Sequence, residues 1–312
     1  MNTSSIDGPD PVTQPRLSAV VVAFTGGPVL EQCLAALHAQ TGAGPIEIVV
    51  VFDAEGPCAL AVAPARIRYS AVRWVAAPPG TTVPRMRSLG IRNTNGKIVA
   101  LLEGDCAVEP GWAAAAVAAH ETDDVAIGGA VEPGPYAKSL DWAVYFCEYG
   151  RFMLPLRPRA NLALALASNN VTYKRGPVLE AADDPGGFYD IAAHTTWQDA
   201  GWPMRTDGAL VVRNLNSWSL PHVTSVPYHH GRAFAAQRFP DRPGRRGIYG
   251  LLAISLPAVK TGRVIIDTLV RGRLTGRLIQ ALPWIVVFMT SWSFGEMVGY
   301  LGGPGHSAAR WR

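Results

Sequence analysis

Cysteine is scarce in this chain and follows no pattern. Cys33, Cys58, Cys106 and Cys147 are scattered through 312 residues without CxxC spacing or a companion histidine cluster, which argues against a disulfide framework and a structural zinc site. Reduced thiols facing a cytoplasm are the expectation. Met1 to Pro15 lacks both a basic start and an apolar run, so it reads as a loose tail and not as a secretory signal. Internal repeats are absent, as is low complexity beyond one alanine-rich stretch after Gly111. The length exceeds a typical domain of roughly 100–200 residues, so one large α/β unit with an appendage is expected. The division expected is a tail over 1–15, the α/β unit over 16–232 and a basic, apolar helical region over 233–312.

The formal charge of +4 hides an asymmetry. From Gly231 onward there are 12 Lys+Arg and 3 Asp+Glu, a net +9, which leaves −5 for the rest. A basic end on an acidic body suits an anionic partner. The same end carries apolar runs at Ile248 to Val259 and Leu278 to Phe294, which favours a membrane surface over nucleic acid.

The body alternates strand and helix patterns. Leu17 to Phe24 is a valine-rich run, followed by a turn at Gly26-Gly27-Pro28 and a helix with Leu30, Cys33, Leu34 and Leu37 on one face. Ile46 to Phe52 is continuous and apolar, as in a strand covered on both faces, and ends at Asp53. Val72 to Ala76 predicts a strand, Thr82 to Asn93 a helix, and Ile98 to Leu102 a strand ending at Glu103. Beyond these come an alanine-rich helix to His120, a strand at Val125 to Val131, and an aromatic helix carrying Trp142, Tyr145, Phe146, Tyr149 and Phe152. Leu162 to Tyr173 predicts a strand, and Asp190 to Ala200 a helix stopped by Gly201. Such alternation implies a mostly parallel, doubly wound sheet, with ligands beyond the carboxyl ends of its strands.

Asp53 and Glu103-Gly104-Asp105 fall at those ends. Two carboxylates one residue apart after a buried strand suit a hard divalent cation. A bare acidic triplet also occurs on solvated turns.

The order of these features resembles family 2 glycosyltransferases, which have the Rossmann-like GT-A fold. The resemblance spans roughly Leu17 to Arg232 and is carried by Leu17 to Phe24, Ile48 to Asp53, Arg87 to Ile91, and Asn95 to Asp105. Asp141 to Phe146 and His230-Gly231-Arg232 look like a bacterial membrane-associated branch. The resemblance implies an inverting hexosyltransferase-type enzyme moving a sugar from a nucleotide-sugar donor, with Mg²⁺ or Mn²⁺, to a lipid-linked or envelope glycan acceptor. Asp53 would meet the base, Ala23, Thr25 and Gly104 would line the donor pocket, and Arg87 would meet the pyrophosphate or the pocket carboxylates. Asp105 and Glu103 would hold the metal, His230 would complete its shell, and Arg232, on a late loop, would meet phosphate. Asp190 would be the general base, eleven residues before Gly201; a plain helix cap is the competing reading. Asn169-Asn170 either lines the acceptor pocket or satisfies backbone. Departures from the family pattern are Phe52 in place of an acidic residue, Ser88 in place of Asn, Glu103 in place of Asp, and Tyr189 in place of Glu.

About twenty apolar residues span a bilayer as a helix, so Leu278 to Leu301 is marginal for a crossing and Ile248 to Val259 reads as interfacial. Trp284, Trp292 and Tyr300 suit interfacial anchors. The expected location is the inner membrane with the catalytic unit on the cytoplasmic side; a buried helical hairpin is the alternative for these segments. Two rivals remain for the activity. One is a membrane-anchored nucleotide-sugar-binding protein without turnover. The other is a nucleotidyltransferase on the same fold, although Thr25-Gly26-Gly27-Pro28 has no Lys or Arg to hold a triphosphate.

Overall fold

The computed structural model describes residues 14–157, 166–238 and 243–307; almost all of the expected tail lies outside them. Strands β1 (Leu17–Ala23), β2 (Ile46–Asp53), β3 (Arg73–Ala77) and β4 (Ile98–Glu103) alternate with helices α1 (Pro28–His38), α2 (Gly56–Arg68) and α3 (Val83–Arg92). β1 pairs in parallel with β2 and β4, and β2 with β3. Successive residues of β1 feed two cores. Leu17, Ala19, Val21 and Ala23 pack with Leu30, Leu34 and Leu37 of α1, whereas Val20 and Val22 pack with Met86 and Ile91 of α3. Burial on both faces explains why these strands read as unbroken apolar runs.

The second half contains β5 (Cys106–Val108), α4 (Trp112–Ala119), β6 (Ala126–Pro133), α5 (Ser139–Val144), β7 (Asn170–Lys174), α6 (Arg175–Ala182), α7 (Asp190–Asp199) and β8 (Met204–Asn214). The eight strands form one sheet in the order β3-β2-β1-β4-β7-β6-β8-β5. β7 runs antiparallel to β4 and β6, and β5 antiparallel to β8, whereas β6 and β8 pair in parallel, so the sheet is mostly parallel, as expected, with the doubly wound pattern in β3-β2-β1-β4. β7 starts at Asn170, later than the predicted Leu162, and residues 162–165 of that prediction lie outside the described ones. The aromatic helix is α-helical only to Val144, then widens into a π turn at Tyr145–Tyr149 and tightens into a 3₁₀ turn at Gly150–Phe152.

Asn170 holds this half together. Its amide donates to the carbonyls of Ala130 (2.8 Å) and Leu210 (2.9 Å), and its oxygen accepts from Trp112 Nε1 (3.0 Å). Gly129 leaves room for that amide, since a Cβ there would lie 2.2 Å from Asn170 Nδ2. Asn170 therefore satisfies buried polar groups and does not line a pocket.

Four helices complete the chain: α8 (Leu220–Arg238), α9 (Pro243–Leu252), α10 (Leu256–Arg271) and α11 (Thr275–Gly302). α8 runs unbroken through Arg232, across the division expected between 232 and 233. Glycines bring α8 and α11 into backbone contact: a Cβ at Gly295 would lie 2.0 Å from the carbonyl oxygen of Tyr228, and one at Gly299 would lie 2.2 Å from that of Arg232. Leu278, Ala281, Ile285 and Phe288 of α11 share a third core with Trp142, Tyr145 and Phe146.

Replacing Asn170 by Ala strands one buried indole N–H and two buried carbonyls, at about 1–3 kcal/mol for each unsatisfied group. Urea denaturation of Asn170→Ala should show a loss of at least ~3 kcal/mol, and a loss under ~1 kcal/mol would show that the three groups find other partners.

Candidate active site

The carboxyl ends of β1, β2 and β4 lie side by side. Ala23 is in register with Phe52, Val22 with Glu103, and Gly104 N–H donates to the Val22 carbonyl at 2.9 Å. Space at Gly104 is tight, since a Cβ would lie 3.3 Å from Ala23 Cα and 3.2 Å from Leu30 Cδ1. Thr25 is exposed just beyond β1. Asp53 stands half-exposed at the end of β2 and accepts from the Glu55 backbone N–H at 3.1 Å. Ala23, Thr25, Asp53 and Glu103-Gly104-Asp105 thus share one rim.

Arg87 reaches this rim from α3. Gly90, one turn later, brings α3 against β1, with an added Cβ only 2.2 Å from Val20 Cγ1. The Arg87 side chain is 9% exposed and bridges two carboxylates, Glu103 at 3.6 Å and Asp190 at 3.3 Å. Ser88 secures the same junction: its hydroxyl accepts from the Phe188 backbone N–H at 2.8 Å, two residues before Asp190. Gly187, at φ +93°, sits against Pro84 and Arg85 where a Cβ would lie 2.4 Å from backbone. The replacement of Asn by Ser at 88 thus retains a structural use.

Asp190 begins α7, as its helix-start position predicts. One of its oxygens pairs with Arg87 and the other accepts from the Ser168 hydroxyl. Burial acts to raise its pKa, but the Arg87 charge and the Ser168 hydrogen bond prevail and hold it below the ordinary carboxylate range. Glu103 moves the other way. Burial, then the charge of Asp105, push it up to about 7 against the pull of Arg87. Asp105 is raised as well, mainly by burial, although its carboxylate accepts from Cys106 Sγ at 3.4 Å.

One acidic residue escaped the sequence reading. Glu148, in the π turn, is pushed up to about 8 by burial and then by the charges of Glu103 and Asp105. Its place among aromatic residues gave no sign of that proximity.

Residues 18–166 match the model of glycosyl transferase family 2. Residues 18–166 carry a family 2 glycosyltransferase domain. A search of curated proteins finds no match. Among solved structures, the chain is similar to the mannosyltransferase PcManGT from Pyrobaculum calidifontis, in complex with GDP-Man and Mn²⁺, at a TM-score of 0.58 and 16% identity, covering 95% of this chain and 89% of that one. The mixed sheet with its parallel β3-β2-β1-β4 half is the GT-A fold.

Two expected site residues have a different local setting from the one expected. His230 and Arg232 are on α8, not on a loop. His230 packs edge-on against Trp292 of α11, with ring centroids 5.8 Å apart, and Arg232 Nε donates to the Gly303 carbonyl at 2.9 Å. Both are used in joining α8 to α11. Among the described residues, no group of three or more His, Cys, Asp or Glu is gathered as a metal shell, so His230 is not brought to Glu103 and Asp105. The two carboxylates still fit a divalent ion. They are hard oxygen donors whose mutual repulsion a cation relieves, and Mg²⁺-type ions commonly take one or two carboxylates and complete their shell with phosphate and water.

The raised pKa of Glu103 has a direct consequence. Folded protein keeps a proton that the unfolded chain loses at an ordinary pKa of about 4.3, so this contribution to stability is full below that pH and is lost as pH rises through about 7. Calorimetry on EDTA-treated protein should therefore show a midpoint that falls between about pH 5 and pH 8, with Glu103→Gln removing that part of the fall. Because the ion needs both carboxylates deprotonated, Mn²⁺ should raise the midpoint more at the upper pH than at the lower. Equal or no response at the two pH values would remove Glu103 from the metal site.

Proposed function

We propose that the protein is an inverting hexosyltransferase that takes a sugar from a nucleotide-sugar donor with Mg²⁺ or Mn²⁺. The observation that carries this reading is Arg87, buried between Glu103 and Asp190, at a rim that also holds Asp53 and Asp105. Asp53 accepts a hydrogen bond from the base, while Ala23, Thr25 and Gly104 line the donor. Glu103 and Asp105 hold the cation, which when bound neutralises the diphosphate as it leaves. Arg87 places a second positive charge at the same diphosphate, where negative charge grows as the glycosidic bond breaks. Asp190, in addition to its candidacy as general base, fixes the direction of that guanidinium. A relative of the same fold holding GDP-Man and Mn²⁺ supports this reading.

The test is a panel of nucleotide sugars incubated with purified protein and metal, following release of nucleoside diphosphate. Asp105→Asn should fold with an unchanged circular dichroism spectrum, because its side chain meets the rim and not the cores, yet lose at least about a hundredfold in turnover, of the order found when one preorganised charge-stabilising group is removed. Wild-type turnover in the variant would remove Asp105 from the site, and silence of the wild-type protein across the panel would remove the transferase reading.

The proposed acceptor is a lipid-linked or envelope glycan at the cytoplasmic face of the inner membrane. Two helical stretches, Arg246–Arg271 of 26 residues and Thr275–Gly302 of 28, are long and apolar enough to cross a membrane by length and composition. At about 1.5 Å per residue each exceeds a hydrocarbon core of about 30 Å. The first is longer than the Ile248 to Val259 run suggested, because it continues through α10. It displays Leu251 at 72% exposure, Ile254 at 73% and Ile266 at 61%, beside Arg246, Lys260 and Arg263. Apolar insertion resists salt, whereas headgroup attraction is screened by it. Flotation with anionic vesicles should therefore retain the protein at low and high salt, and the double variant Leu251→Asp, Ile254→Asp should release most of it while keeping turnover of soluble substrates. Intact protein that stays out of the vesicle fraction at both salt concentrations would sink the membrane part alone.

A further inference from the structure

Length alone would let α11 cross a bilayer, but its neighbours would have to enter with it. From Leu278 to Phe288 one face of the helix is packed into the core of Trp142, Tyr145 and Phe146. Further along, the same helix lies on α8 at backbone distance. Besides the contacts at Gly295 and Gly299, a Cβ at Gly231 would lie 2.2 Å from the Trp292 carbonyl oxygen, and Ser291 Oγ donates to the Thr224 carbonyl at 2.5 Å. α8 carries His222, His229, His230, Arg232 and Arg238, groups that are costly to place in hydrocarbon. A crossing α11 would draw this polar helix into the lipid. α10 is tied to the same body near both of its ends. Arg271 donates to the carbonyls of Met153 (3.3 Å) and Arg151 (3.1 Å), and Lys260 Nζ meets the buried Glu296 of α11 at 2.6 Å.

The faces left over are apolar and run the length of each helix. On α11, Ile279, Val286, Val287, Phe294 and Leu301 are exposed, a spacing that sets them on one side. On α9 and α10, Ile248, Leu252, Val259, Ile266 and Val270 are exposed four or seven positions apart. Arg263 and Arg277 are exposed beside these faces, and among the described residues from Pro243 onward the only acids are Asp267 and the buried Glu296. A continuous apolar stripe with basic residues at its edge, backed by a polar body, is the pattern of a helix that lies in a membrane interface. The excess of cations suits anionic headgroups.

We propose that α9, α10 and α11 lie in the plane of an anionic bilayer and do not cross it, an inference that rests on the membrane part of the reading above. Their exposed apolar side chains sink about 5–10 Å, to the boundary between headgroups and acyl chains. Arg263 and Arg277 meet lipid phosphates, and α8 stays out of the hydrocarbon. Both ends of α11 then remain on the side of the bilayer that holds the transfer site, and a lipid-linked acceptor reaches that site from this leaflet alone.

The experiment uses the full chain in membranes of a bacterial expression host, as inverted vesicles and as spheroplasts. Gly276→Cys and Gly302→Cys mark the two ends of α11, at positions where an added Cβ meets nothing within 4 Å. The parent carries Cys147→Ser, because the other three cysteines are buried. A membrane-impermeant maleimide should label both ends in inverted vesicles and neither in spheroplasts. Label reaching the two ends from opposite sides overturns the proposal, as does protection of either end in inverted vesicles. Depth is measured separately with nitroxides on Ile279→Cys and Phe294→Cys in anionic vesicles. An in-plane helix should hold the two within about 10 Å of the same depth, a helix diameter, whereas a crossing helix separates them by about 22 Å; the larger value overturns the proposal. Protein that stays soluble in both preparations sinks the membrane reading and this inference with it, whereas membrane-bound protein with the ends of α11 on opposite sides sinks the inference only.

Discussion

A guanidinium removed from water needs its charge answered, and for Arg87 the answer comes from two elements far apart in sequence. Glu103 closes β4 and Asp190 opens α7, so the ion pairs clamp the parallel half of the sheet to the segment that follows β7. Breaking such a buried pair by deleting one partner typically costs about 3–5 kcal/mol, because the remaining charge is left unmatched. The clamp also leaves a surplus. Glu103, Asp105 and Asp190 supply three carboxylates against the one guanidinium of Arg87, and the pKa of Glu103, raised first by burial and then by the charge of Asp105, reflects that surplus in part. A site with unspent negative charge and one fixed cation is matched to a ligand that brings a divalent ion with its phosphates.

Packing enforces the clamp. Gly90 lets α3 close on Val20, and Ser88 and Gly187 hold the entry to α7 against the start of the same helix. None of these residues touches the proposed chemistry. Together they leave Arg87 little freedom, which is the condition for a charge to be useful in a transition state without reorganising.

Much of the first half was legible from sequence because its strands are buried on both faces and its helices carry a clear apolar stripe. The strand-end positions of Asp53, Glu103 and Asp105 followed from that alone. Other elements were harder to read for local reasons. α2 contains Pro64 and exposes Leu60 and Ile67, which blurs its period. β8 carries Arg205, Asp207 and Gly208 in its first half, and α8 carries Pro227 in its interior, so His230 and Arg232 read as loop residues although tertiary packing makes them helical. Glu148 was invisible for a different reason: nothing in a linear pattern reports that burial and the charges of Glu103 and Asp105, more than forty residues earlier, act on its carboxylate.

The third core has a consequence for how the chain is made. Trp142, Tyr145 and Phe146 find their packing partners in Leu278, Ala281, Ile285 and Phe288, residues that leave the ribosome more than a hundred positions later. Until α11 emerges, the aromatic face of α5 and of the π turn after it is uncovered, so this part of the core waits on α11. Contacts of such long sequence separation slow folding and leave apolar surface open to wrong partners in the interval. α11 is therefore a wall of the fold, and a chain shortened before α11 loses part of its interior along with its apolar exterior.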